Sequence, residues 1–336
     1  MPTCKLLLSF SLYVISLSVS AQTTESTYAE KLGYPKNAKV LILHVDDAGM
    51  SFDSNEGAIN AMTKGVANSC SVMMPCPWVP AFVHYLKQHP QTDAGLHLTL
   101  TSEWSEYRWA PLSGKAAVPG LVDPEGDMWR SVEDVVKHAS ADEVEKEIRA
   151  QIDRAQSMGF QPTHFDTHMG TLLATPAFTE RYIKLGIEMH IPVMVPVGHN
   201  TLIKEEMNLP EAQLQQMRQI GKMLWNAGLP VLDDLDNESY DWKIPAEIVN
   251  DDKKLQAFKT GKYIEAIKSL KPGITMMIMH CTATSEIFKQ ISGSGPTRKG
   301  DMLAMMDPLL KKTLQKEGII LATWRELKER RVKAKS

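Results

Sequence analysis

Cysteine is scarce and poorly arranged for a disulfide framework, with only 4 in 336 residues. Cys4 precedes an apolar leader, which leaves Cys70, Cys76 and Cys281, an odd set without a CxxC pair. One bridge, Cys70 to Cys76, or three buried thiols would both fit, so stability has to come mainly from a packed core. An excess of charge of one sign is also missing. The net charge of −3 gives no reason to expect nucleic acid or an acidic membrane as partner. No Gly-rich phosphate fingerprint, internal repeat, low-complexity segment or long flexible linker interrupts the chain.

The N-terminus reads as a leader. Lys5 is followed by "LLLSFSLYVISLSVS", and Val19-Ser20-Ala21 offers small residues before Gln22. That is the layout of a secretory signal peptide, and the apolar run is too short for a comfortable membrane span. The expectation is a signal peptide over 1–21 and a mature domain over 22–336. This mature chain would have no membrane span and would be exported to the periplasm or the cell exterior.

Short apolar runs alternate with helical patterns along the rest. Strand candidates are 39–45, 69–75, 94–100, 163–168, 192–197, 274–280 and 318–323. The clearest helix is 141–158: Ser140 and Glu143 form a capping box, Val144, Ile148 and Ile152 share a face, and Gly159 stops it. Further helices are expected near 54–64, 176–189, 247–269 and 302–316. Strands separated by helices argue for βα units and a parallel sheet, and seven candidates without a phosphate fingerprint favour a barrel. Residues 101–139 and 198–246 fit less well and read as long functional insertions.

Chemistry gathers at the C-terminal ends of these strands, where a parallel barrel places its functional groups. "LILHVDDAGM" ends in adjacent acids, Asp46 and Asp47; "GLHLTL" carries His97; "THFDTH" carries His164, Asp166 and His168; "ITMMIMH" ends at His280. On a regular strand the two adjacent acids point to opposite faces. One carboxylate with two imidazoles is a three-ligand set for a catalytic divalent metal. Spacing alone leaves His164 and His168 as alternatives for the third ligand.

"VDDAGMS", "GLHLTLT" and "PTHFDTHMG", in this order, resemble the YdjC-like family of carbohydrate deacetylases, which includes chitooligosaccharide deacetylases. The resemblance covers residues 38–178 well and reaches "MIMHC" and "TWRELK" more loosely. It implies a distorted TIM-like (β/α) barrel in the α/β class, with about seven parallel strands in a single domain. It implies removal of acetyl groups from N-acetylated sugars with one divalent metal ion. Asp47, His97 and His168 match the family's ligands, Asp46 its general base and His280 its general acid. The family is often assigned Mg²⁺, whereas the Asp/His/His donor set suits Zn²⁺ or another transition metal better. Ala48 and "MGTLL" (169–173) stand where family members often carry Phe and a run of histidines.

The remaining candidates surround this set. Asp166 would orient a ligand histidine or bind a substrate group. In "SEWSEYRWAPL", Trp104, Tyr107, Arg108 and Trp109 follow the His97 strand, and aromatic rings stack well on the C–H faces of sugars. His44 reads as a core residue. The expected function is a metal-dependent carbohydrate deacetylase acting on an acetylated sugar. Its rivals are a barrel metallohydrolase cleaving another bond, such as a phosphoester, and a secreted sugar-binding protein without turnover.

Overall fold

The computed structural model describes residues 26–334; the expected signal peptide over 1–21 lies outside them. Seven strands run in chain order: β1 (Lys39–Ala48), β2 (Ser69–Val72), β3 (Ala94–Leu98), β4 (Phe165–Thr167), β5 (Asp234–Asp236), β6 (Gly273–Met279) and β7 (Ile320–Leu321). They form one sheet ordered β4-β3-β2-β1-β6-β5, with β7 paired to the start of β1. All of these pairings are parallel. β1 lies at the centre, which explains its continuous apolar run: Val40 to Val45 are all buried.

Single parallel bridges, Phe165 to Val193 and Pro196 to Leu232, link β4 round to β5. The segment 192–197, expected as a strand, therefore holds its place by bridges only. Pro192 and Pro196 have no N–H to donate, so a full ladder cannot form there. The result is the expected α/β barrel of six to seven parallel strands, weakly joined at one seam.

The helices follow the sequence patterns with several differences. The 141–158 helix spans Ala141–Ser157, with the Ser140–Glu143 capping box formed. The pattern over 302–316 divides into two helices, Gly295–Met305 and Pro308–Lys316. Pro308 cannot continue a helix and disfavours helical geometry before it, and Asp307 caps the second helix through Oδ1 and Leu309 N. Residues 198–246, expected as an insertion loop, contain the helices Thr201–Met207 and Glu211–Asn226 and the whole of β5. Helices Val79–Gln88 and Trp324–Lys333 also escaped the sequence patterns.

One close approach fixes the site geometrically. The helix Phe52–Thr63 begins just after β1 and packs on the chain leaving β6. A Cβ at Gly57 would stand 2.4 Å from Cys281 O and from Thr282 Cα, so only glycine permits this contact. Asp53 secures the same junction, accepting from Ser285 N and Oγ. Cys70, Cys76 and Cys281 are all buried free thiols, which resolves the open disulfide question.

Candidate metal centre

The pairing of β1 with β2 slips between Val45 and Ala48: Val45 faces Cys70, but Ala48 already faces Val72. Three residues of β1 therefore span two of β2, a bulge that contains both acids. Asp47 adopts φ 66°, a left-handed conformation that Asp tolerates better than most residues. The expectation of opposite faces fails for this reason. The bulge brings both carboxylates toward one atom, His97 Nε2, with Asp46 Oδ2 at 3.7 Å and Asp47 Oδ1 at 3.4 Å.

β3 delivers His97 and the turn after β4 delivers His168, just before left-handed Met169 and Gly170 redirect the chain. His168 Nδ1 lies 3.5 Å from Asp47 Oδ1 and 3.1 Å from His97 Nε2. Ligand atoms of Asp47, His97 and His168 all fall within 4.8 Å of one another. Asp47 Oδ1 is buried without a hydrogen-bond partner, which is costly unless something positive meets it. One hard oxygen and two imidazole nitrogens form a chemically suitable donor set for a divalent cation.

The far nitrogen of each imidazole is engaged by a carboxylate. Asp166 Oδ1 lies 2.6 Å from His97 Nδ1, and Glu103 Oε2 lies 3.1 Å from His168 Nε2. Such partners fix the ring orientation and leave the other nitrogen free to ligate. Asp166 is thereby placed behind His97 rather than on a surface a sugar could reach. Its Oδ2 lies 2.9 Å from His44 Nε2, and His44 in turn lies 3.2 Å from Asp46 Oδ1. Buried His44 thus bridges the two acids, and it also bonds Ser69 and Ser71. His164 is buried behind Asp166, at 3.7 Å, and its ring stacks on Trp324.

The charges of the metal-free chain follow from this crowding. Burial opposes ionisation of Asp47, but the Arg298 guanidinium and the two imidazoles hold its carboxyl well below the usual range. Burial likewise disfavours a charged imidazole at His168, yet Glu103 and Asp47 outweigh it and raise the pKa to about 9. His97 rises well above its ordinary value because Asp46 and Asp166 overcome its burial. A cation entering between these groups would therefore compete with protons on the imidazoles.

His280 stands at the end of β6, with Nε2 3.9 Å from Asp46 Oδ2. Its backbone N–H donates to Asp301 Oδ2, while Asp301 Oδ1 takes buried Lys259 at 2.8 Å and Tyr263 at 2.7 Å. Burial pushes the His280 pKa below its ordinary value, partly opposed by Asp47.

Sequence patterns gave no hint of Arg298, Glu103 or Tyr240. Arg298 Nη1 donates to Asp47 Oδ2 at 2.6 Å, across 251 residues of chain. Its guanidinium lies 5.7 Å from the Trp104 ring centroid and 5.3 Å from that of Tyr240. Tyr240 also meets His280 edge-on at 4.9 Å. Glu103 could have been flagged only as a charged loop residue beside the His97 motif and Arg298 only as a cation in a distant helix; no spacing marks their roles.

The aromatic cluster is divided. Trp104 reaches the centre through Arg298. Tyr107 donates its hydroxyl to Met50 O at 2.5 Å, and Arg108 ties the loop together through Asp123, Glu125 and Met128 O. Trp109 is buried, its Nε1 donating to Thr101 O, so it packs the loop onto the barrel instead of facing a ligand.

The fold and centre define an α/β barrel protein with a candidate divalent-cation site at the C-terminal ends of its strands. Residues 40–316 match the YdjC-like protein family, and the chain belongs to that family. It is 30% identical to a carbohydrate deacetylase of Thermus thermophilus over 300 residues, covering 89% of this chain and 97% of that protein. It is 31% identical over 133 residues to a chitooligosaccharide deacetylase of Yersinia enterocolitica, covering 39% of this chain and 49% of the other. A crystal structure of an Enterococcus faecalis V583 protein assigned to cellobiose-phosphate cleavage shares the fold, with a TM-score of 0.68 at 20% identity. That likeness covers 86% of this chain and 99% of the other.

Proposed function

We propose that the protein is a metal-dependent deacetylase of N-acetylated sugars, releasing acetate and a free amine. The observation that carries this reading is the convergence of Asp47, His97 and His168 on one buried point, with Asp47 Oδ1 unpartnered and Asp46 and His280 alongside. Deacetylase names among family relatives support the reaction class.

Asp47 Oδ1, His97 Nε2 and His168 Nδ1 would hold the cation, for which the donor set favours Zn²⁺ or a similar transition metal over Mg²⁺. When bound, the ion supplies a Lewis acid for the acetyl carbonyl and lowers the pKa of water. Asp46 takes the proton as water adds to the carbonyl carbon. His280 delivers a proton to the nitrogen as the C–N bond breaks, so the amine leaves neutral. With 3.9 Å between Asp46 Oδ2 and His280 Nε2, one bridging water suffices to pass the proton from base to acid. Trp104 and Tyr240 wall the centre with rings suited to a sugar face.

Export through cleavage after Ala21 belongs to the same reading; a mature N-terminus at Gln22 would support it. The activity is tested by acetate release from N-acetylated oligosaccharides with and without a chelator. Acetate that appears with the metal and ceases with the chelator or with Asp46→Ala is the expected result. Binding without acetate under any divalent metal would defeat the enzyme reading, and release of phosphate instead would favour a phosphoesterase.

A further inference from the structure

Phe52 and Trp78 expose large aromatic surfaces, at 51% and 41% of their area, although most big apolar residues of this chain are buried. Their rings meet edge to face, with centroids 5.3 Å apart and planes at 63°. Both stand where the chain leaves the C-terminal end of a strand: Phe52 opens the helix Phe52–Thr63 after β1, and Trp78 precedes the helix Val79–Gln88 after β2. They therefore stand on the same rim of the barrel as the metal centre.

The pair is fastened to the segment that carries the ligands. Trp78 N donates to Gly49 O at 3.1 Å, and Gly49 lies two residues beyond Asp47. Asn55 closes the loop, accepting from Gly49 N at 2.7 Å and donating to Trp78 O at 3.1 Å. Gly49 sits at φ 85°, and a Cβ there would stand 2.7 Å from Val79 Cγ2, so this turn has room only for glycine. The next residue, Met50, accepts the Tyr107 hydroxyl. A solvent-facing aromatic pair thus continues directly from the strand end that carries Asp46 and Asp47.

We propose that Phe52 and Trp78 form an outer glycan subsite, which holds an unreacted sugar of an oligosaccharide whose acetylated residue occupies the metal centre. The inference rests on the deacetylase reading for the identity of the inner residue. Pyranose rings present C–H faces to such a platform, while their hydroxyl edges stay in water, so exposure of the rings in the free protein is expected.

The test compares the β-1,4-linked tetramer of N-acetylglucosamine with its monomer, using the metal-loaded protein and the variants Trp78→Ala, Phe52→Ala and Trp78→Phe. Both alanine variants should raise KM for the tetramer about tenfold, the equivalent of one lost stacking contact, with kcat unchanged. Monomer kinetics should not move, and Trp78→Phe should retain tetramer KM near the parent value. Equal losses on both lengths, or none on either, would overturn the subsite. If no length yields acetate, calorimetric titration of the tetramer decides separately: weaker binding to Trp78→Ala keeps the subsite while the deacetylase reading falls. Unchanged or undetectable tetramer binding, or a change in self-association alone, would overturn the subsite.

Discussion

Arg298 commits one oxygen of Asp47 before any cation arrives: Nη1 lies 2.6 Å from Oδ2, while Oδ1 is left facing His97 and His168. The carboxylate therefore turns a single oxygen toward the candidate cation site, with the other held by Arg298. Both partners are buried, so breaking the pair leaves an uncompensated charge, which costs about 3 kcal/mol or more. Arg298→Met should melt earlier than the parent without metal, and a saturating divalent cation should recover a larger share of stability in the variant. A metal-induced rise in Tm that is equal in both proteins would show that the guanidinium and the cation do not stand in for each other. The pH dependence has a definite sign. The folded pKa of Asp47 is depressed, so its contribution is present above the ordinary value of 3.8 and is lost as the medium becomes more acid. Metal-free Arg298→Met should lose part of that acid sensitivity.

On the proposed roles the two acids of the bulge should not be interchangeable, despite their shared approach to His97 Nε2. Asp47→Asn removes the ligand charge and should weaken metal binding on the order of a hundredfold or more. Asp46→Asn should retain the metal and lose about 10²–10⁴ in kcat, the range of a removed general base. Metal content by emission spectrometry beside initial rates separates the two. Comparable metal loss in both variants would mean the roles are assigned wrongly.

The carboxylates behind the imidazoles have effects of their own. Asp166→Asn and Glu103→Gln keep the shape but weaken the hold on His97 and His168, and each should lower metal affinity by about 10–100-fold. Competition against a chromogenic chelator measures this without any turnover. Asp166→Asn also disturbs His44, so it should be the more damaging of the pair.

β1, β3 and β6 were legible as short, mainly apolar runs with an acid or histidine at or near the end, β4 only through the His and Asp of "THFDTH", and the fold class followed from their alternation with helices. What escaped was information that is not local. Arg298 meets Asp47 only because the helix Gly295–Met305 packs against the helices Phe52–Thr63 and Asp252–Ser269, which no spacing in "GPTRKGD" announces. The strand-end bulge reverses the side-chain alternation that a regular strand predicts, and Asp47 carries no mark of its left-handed φ. In 198–246 the polar helical surfaces hid two helices, and β5 was missed because "DLD" is acidic even though it is buried.

That acidic strand gives a prediction away from the centre. Burial, with Glu238 and Glu206 nearby, raises the Asp236 pKa to about 7. A raised folded pKa means the folded chain binds the extra proton, so stability falls as pH rises from 3.8 through about 7. Asp236→Asn should remove this decline, with a gain on the order of 1–2 kcal/mol at pH 8 and little gain at pH 4. Denaturant melts at both pH values check it; equal gains at the two would refute a titration origin.

The three buried thiols have a consequence for how the barrel's opening can be followed. Cys70 lies on β2, Cys76 in the loop beyond it, and Cys281 just past β6, so they flank central β1 on both sides. Thiol reagents modify such groups only when the surrounding structure parts. Their separate labelling rates report whether the two sides of the metal centre open together or one at a time, with no probe to be added to the chain.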